Sequence, residues 1–189
     1  AGLKADAQLG RLTATSTLGD TDGDGDYDFI ASFGARSFTI WNAQSGQPVF
    51  DSGNAFEVIT ANRLGSSFNA SNDDNEGDDR SDDKGPEPEA MEIGQINGRT
   101  YAFIGLERVG GIMVYDITNP EAPAFVQYIN MRDFTIEDVE EDLALVGDLG
   151  PEPIKFVTAD DSPTGTPMLL LGNEVSGTTS FFNIEVIAL

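Results

Sequence analysis

GLERVGGIMVYDI, residues 105–117, returns 67 residues later as GNEVSGTTSFFNI, residues 172–184. Working outward, GPEP at residues 85–88 recurs at 150–153, an offset of 65. A weaker third copy is SFTIWNA, residues 37–43, against GIMVYDI, residues 111–117. A period this long in β-rich, turn-punctuated sequence predicts an all-β chain of β-propeller blades carrying insertions.

Each copy reads as short antiparallel strands bounded by Gly, Pro, Asn and Asp. The first blade (residues 1–53) is expected to hold strands at Arg11–Leu18, Asp28–Phe33, Phe38–Asn42 and Pro48–Asp51. The second (85–130) is expected at Glu89–Ile96, Thr100–Leu106, Ile112–Ile117 and Ala124–Ile129, with Asn97-Gly98 as a strong hairpin signal. The third (150–189) holds three strands, Ile154–Thr158, Met168–Leu171 and Thr179–Val186, and is incomplete. About three four-stranded blades, the last one short, do not close a ring and leave strand edges unpaired. The expected partners are therefore the remaining propeller segment of the same protein or further copies of this chain.

Two insertions interrupt the blades. In residues 54–84, Asn54–Leu64 reads as a short helix capped by Asn54, and SNDDNEGDDRSDDKGPEPE (71–89) reads by composition as a disordered, solvated loop. In residues 131–149, Ile136, Val139, Leu143 and Val146 fall at near-helical spacing and predict a short amphipathic helix over Thr135–Leu145.

DTDGDGDYD, residues 20–28, reads as a calcium loop. Carboxylates at every second position, with Gly25 supplying the sharp turn, can wrap oxygens around a hard cation. The expected ligands are the side chains of Asp20, Asp22, Asp24 and Asp28 and the backbone carbonyl of Asp26. An EF-hand would need a glutamate where Ala31 stands and flanking helices, and neither is present in the pattern. The spacing instead resembles calcium hairpins between the strands of integrin-type propeller blades. The alternative is an acidic solvated turn without an ion, in which five carboxylates in nine residues repel one another.

Composition narrows the chemistry. The 189-residue chain has 33 acidic against 10 basic residues, a formal charge of −23, which makes nucleic acid and anionic membranes poor partners. It lacks His and Cys, so His-based triads, thiolate sites and disulfides are excluded. Oxygen-only ligands point to calcium or magnesium, and Ca2+, abundant outside cells, is the expected cofactor. No run of 18 or more apolar residues exists, so no helical membrane insertion is expected. An acidic, calcium-dependent, cysteine-free chain is expected to be secreted or at a cell surface.

GDTDGDGDYD (19–28), FGARSFTIW (33–41), RSDDKGPEPE (80–89), YAFIGLERVGGIMVYD (101–116) and GNEVSGTT (172–179) together resemble the bacterial choice-of-anchor I family. These are large secreted proteins sometimes described as alkaline-phosphatase-like. The resemblance implies a β-propeller outside the cell or at its surface, of which this chain looks like the C-terminal part. It leaves activity open.

The repeat also predicts a site. Glu87 and Glu152 begin the inner strands of their copies, while Glu107 and Glu174 end the next strands at the same face. These four carboxylates, with Asp82 and Asp83 just before, form a second candidate metal or ligand site, unless each Glu caps a turn. Arg80, Lys84 and Arg108 are candidate anion contacts or partners of these carboxylates. Two function classes follow: an extracellular calcium-binding module for surface, adhesion or assembly contacts, and, as the alternative, a calcium-dependent phosphomonoesterase. The first is favoured, because no general-base candidate and no nucleophile-elbow context accompany the carboxylates.

Overall fold

The computed structural model describes residues 2–34 and 36–187. Its centre is an antiparallel four-stranded meander of β3 (Pro88–Ile96), β4 (Arg99–Leu106), β5 (Ile112–Asp116) and β6 (Ala124–Ile129), preceded in the chain by β1 (Thr39–Trp41), β2 (Pro48–Asp51) and α1 (Ala55–Leu64). Asn97 and Gly98 join β3 to β4 with φ of 52° and 78°, the paired positive values that a tight two-residue hairpin requires. A second meander, β7 (Pro151–Val157), β8 (Met168–Asn173) and β9 (Thr178–Asn183), has three strands. Both meanders fall where the repeat predicts them.

Alternation along the strands explains how the sheets stack. Phe103, Ile112 and Val114 leave one face of the central sheet and meet Ile154, Phe156, Leu169 and Leu171 of the three-stranded sheet. Phe103 and Phe156 stack with centroids 5.9 Å apart and planes 10° from parallel. Gly94 lets them close, because a Cβ there would lie 2.6 Å from the Phe156 ring. The opposite face presents Ala102, Ile104, Leu106, Met113 and Tyr115 to Ile40, Phe50 and Phe56 from β1, β2 and α1 and to Phe38 just before β1. Phe38 sits 4.9 Å from Tyr115 and 5.9 Å from Phe56, an aromatic nest in which each ring contributes roughly 1.5–3 kcal/mol by leaving water. The central sheet is thus packed on two sides, which is why β4 and β5 read as continuous apolar runs.

The first copy departs from expectation. Only β1 and β2 pair, while Arg11–Leu18 and Asp28–Phe33 form no strand. They remain a loose hairpin closed by one Ala14–Ser32 bridge and by Thr15 N donating to the Ala31 carbonyl at 2.9 Å. Leu18, Phe29 and Ile30 stay exposed, so the hairpin lacks the buried face that would stabilise an extended pair.

The insertions also differ. The helix is present as α1, yet the Asn54 side chain makes no capping hydrogen bond. Residues 71–84 are not a solvated random loop: Ser71 and Asn72 are buried, and Arg11, Arg36 and Arg132 from three other segments donate to the backbone carbonyls of Asp78, Asp83 and Asp74. Composition registers the charges but not these backbone acceptors. The Thr135–Leu145 helix is absent. Two successive turns, at Asp138–Asp142 and Asp142–Val146, replace it, and Val139, Val146 and Leu149 gather into a small core of their own. Glu137, Asp138, Glu140, Glu141 and Asp142 would stack like charges along a helix without a basic residue to relieve them.

Candidate functional site

Asp20, Asp22 and Asp24 each offer a carboxylate oxygen within 4.8 Å of the other two. Calcium–oxygen distances are about 2.3–2.6 Å, so oxygens on opposite sides of one ion are about 5 Å apart, and the three side chains fit around it. The loop holds itself in this form. Asp20 accepts from Gly23 N at 2.6 Å and Gly25 N at 3.1 Å, and Asp24 accepts from Asp26 N at 3.0 Å. Gly23 and Gly25 have φ of 80° and 95°, which side-chain-bearing residues rarely adopt. Carboxylates that accept these bonds keep further lone pairs for an ion.

Asp26 and Asp28 stand outside that group of three. Asp28 accepts from both the backbone N and the hydroxyl of Thr21, and these bonds hold its carboxyl below the usual range. Its backbone N donates to the Gly19 carbonyl at 2.8 Å, so Asp28 closes the neck of the loop.

The second site is built at the start of β3. Glu87 takes a left-handed backbone (φ 49°), and a register shift follows between Pro88 and Ala90. Such bulges re-aim side chains, and strained residues concentrate at sites. Glu87, Glu89 and Glu107 consequently present oxygens within 4.8 Å of one another. The Glu107 backbone N donates to the Glu87 carbonyl at 2.9 Å, which fixes β4 against this turn.

Three cations surround Glu87, whose side chain is 2% exposed. Arg80 reaches it at 2.8 Å, Lys84 at 2.8 Å and Arg108 at 3.4 Å. Burial alone would raise its pKa, but the hydrogen bonds from Lys84 and Arg80 and the charge of Arg108 together hold it below the ordinary value. Glu107 goes the other way. Burial, with the charges of Glu89 and Glu87 added, pushes it up to about 7 although Arg108 approaches to 3.1 Å. Two neighbouring glutamates thus divide: Glu87 is a buried anion among cations, and Glu107 holds a proton near neutrality.

Sequence reasoning brought Glu87 and Glu107 together with Arg80, Lys84 and Arg108 as partners. It expected Glu152 and Glu174 there too, but both are exposed and neither joins the group of three. The repeat copies the strands without copying the cluster, because Arg80, Lys84 and Arg108 have no basic counterparts at residues 145, 149 and 175. Asp83 instead pairs with Arg80 at 2.7 Å, and Asp82 offers its backbone carbonyl to Thr13 N at 2.6 Å.

Glu89, Asn72 and Arg132 were missed. Strand alternation placed Glu89 on the same side as Glu87, and that signal was available. Arg132 had no such signal. It is 6% exposed and, among the described residues, forms no ion pair with a carboxylate, donating instead to Asn75 Oδ1 at 2.9 Å, the Arg108 carbonyl at 3.1 Å and the Asp74 carbonyl at 2.5 Å. Its guanidinium lies over the Phe134 ring, 4.9 Å from the centroid. Burial lowers its pKa to about 10, so it stays charged, and it binds the acidic segment to the turn that carries Arg108. Arg108 in turn donates to Asn72 Oδ1 at 3.2 Å.

Residues 1–120, well over half of the chain, match the choice-of-anchor I domain. The chain belongs to the choice-of-anchor I family. This choice-of-anchor I chain is also similar to Gigasin-3a of Magallana gigas, at 28% identity over 97% of the chain and 67% of the relative. No solved structure matches it. No helix among the described residues is long and apolar enough to cross a membrane.

Proposed function

We propose that this choice-of-anchor I chain is a calcium-stabilised, β-propeller-type module that acts outside the cell or at its surface through adhesion or assembly contacts. The observation that carries the reading is the convergence of Asp20, Asp22 and Asp24 within 4.8 Å on a glycine-punctuated loop. Calcium there would cross-brace the hairpin of residues 14–32, and binding to the folded state alone would stabilise it by linkage. Family membership and the excess of acidic residues support an external location. Two meanders stacked with β3 against β7 support blades, and the edge of β9, unpaired among the described residues, favours a further segment or another copy as partner.

The calcium-dependent phosphoesterase is the weaker reading. Arg80, Lys84 and Arg108 direct their charges at Glu87 and Glu107, which leaves few donors for a phosphate. Thermal unfolding in calcium and in chelator, with a phosphomonoester assay on the same samples, tests both. A melting temperature raised by calcium without turnover is expected. An unchanged melting temperature removes the calcium reading, and chelator-sensitive turnover replaces the module with an enzyme.

A further inference from the structure

A cavity of about 470 Å3 lies between the turns of residues 5–11 and the acidic insertion at residues 78–82. Small-molecule sites occupy about 300–1,000 Å3. Both walls are fixed through their backbone. On one side, Gly10 N donates to the Ala5 carbonyl at 3.0 Å and Leu9 N to the Leu3 carbonyl at 3.1 Å. Only a glycine closes this turn, since a Cβ on Gly10 would lie 2.5 Å from the Lys4 carbonyl oxygen. On the other side, Asp78 N donates to the Phe68 carbonyl at 2.7 Å, and Arg36 Nη2 donates to the Ser81 carbonyl at 2.7 Å. Thr13 N, donating to the Asp82 carbonyl at 2.6 Å, fastens one wall to the other.

The lining carries an excess of negative charge. Its carboxylates are Asp6, Asp78 and Asp82, and its basic residue is Arg11. Arg11 pairs with Asp78 at 3.3 Å, which leaves Asp6 and Asp82 in no ion pair among the described residues. Ser81 accepts from Nδ2 of the buried Asn69 at 3.0 Å and keeps a second lone pair for another donor. The acceptors outnumber the donors, which suits a ligand that only donates. A bare divalent ion fits poorly here. The oxygens of these three aspartates do not gather within 4.8 Å of one another, as those of Asp20, Asp22 and Asp24 do. Beside them Leu9 is 50% exposed and offers an apolar wall. Acceptors next to an apolar wall match a charged amine on a methylene chain, whose head only donates and whose stem is apolar.

We propose that this cavity binds an alkylammonium group, its charged head on Asp6 and Asp82 and its methylenes along Leu9. The net charge of −23 draws such a cation in from solution. Lysine side chains of a partner protein and free diamines share this chemistry. The site is separate from the Asp20–Asp24 loop and does not rest on the calcium reading.

Titration of the isotope-labelled protein with Nα-acetyl-lysine amide and with cadaverine, followed by amide chemical shifts, tests the site. Saturating shifts confined to the two walls are expected. The Nε-acetylated lysine derivative, which lacks the charge, is expected to bind at least about tenfold more weakly. D6N/D82N, altered at side chains that make no ion pair, is expected to lose a similar factor with an unchanged circular dichroism spectrum. Leu9→Ser, at an exposed position, probes the apolar wall without touching the aspartates and is expected to weaken binding several-fold. Tighter binding of the lysine derivative supports the site with a protein side chain as its ligand, and tighter binding of cadaverine supports it with a free amine. Shifts that spread over the acidic surface without saturating overturn the proposal. So does equal binding of the neutral derivative, or undiminished binding by a folded D6N/D82N.

Discussion

Arg132 donates to the backbone carbonyl of Arg108 at 3.1 Å, so a buried guanidinium helps set the position of a half-buried one. Arg108 then spreads its own contacts to Glu87, Glu107 and Asn72. The arm thus links the acidic insertion at Asp74 and Asn75 to the glutamates, beside the contacts that Arg36, Arg80 and Lys84 make to the same segment.

Arg132→Met keeps much of the packing against Phe134 and removes every donor. The Asp74 and Arg108 carbonyls and Asn75 then lose charge-assisted bonds, each worth about 1.5–3 kcal/mol. A loss of at least about 3 kcal/mol is expected in urea unfolding. Proteolysis within residues 71–84 is expected to accelerate. An R132M protein as stable as the parent would show that the insertion is held by other contacts.

The two buried glutamates give opposite pH dependences. Glu107, raised from 4.5 to about 7, contributes stability that is full below pH 4.5 and is lost as pH rises through 7. Glu87, lowered from 4.5, contributes stability that is full above pH 4.5 and is lost as pH falls through its lowered value. Their joint contribution is therefore greatest near pH 4.5. Glu107→Gln removes the loss between about pH 4.5 and 7, as chemical denaturation across that range would record, while Glu87→Gln destabilises the protein at neutral pH.

On the proposed calcium reading, the aspartates of residues 20–28 divide into two roles. Asp22→Asn and Asp24→Asn are expected to weaken calcium affinity at least about tenfold, since each removes a full ligand charge. Asp28→Asn disturbs the Thr21 neck and lowers stability in chelator as well as in calcium. Calorimetric titration beside melting curves separates the two roles, and equal effects of all three substitutions would dissolve the distinction.

Gly94→Ala places a Cβ 2.6 Å from the Phe156 ring and forces two packed sheets apart. Overpacking of this kind costs about 1–3 kcal/mol. Adding Phe156→Leu to G94A should restore part of the loss, and a G94A protein with no loss would mean that the sheets are less tightly stacked than described.

The sequence was most legible where the repeat and strand periodicity agreed. β3 to β9 were placed within a few residues, because GLERVGGIMVYDI carries an apolar run after its glycine turn and its copy repeats the same turn at a fixed offset. It misled at Arg11–Phe33, where alternation exists but no neighbouring face completes it. Glu87 and Glu107 were legible as a pair, whereas the failure of Glu152 and Glu174 to join them followed from basic residues absent in the second copy. Arg132 was invisible because its partners are backbone carbonyls, which every residue has and no motif marks.

The two-sided packing of β4 has a consequence for the timing of unfolding. Its amides are shielded by strands on both edges and by apolar layers above and below, so they can meet solvent only when both layers separate. Deuterium uptake along the chain should therefore be slowest at Phe103 and Ile104, faster in β9 with its free edge, and fastest in the hairpin of residues 14–32. The molecule comes apart from its two ends toward one strand.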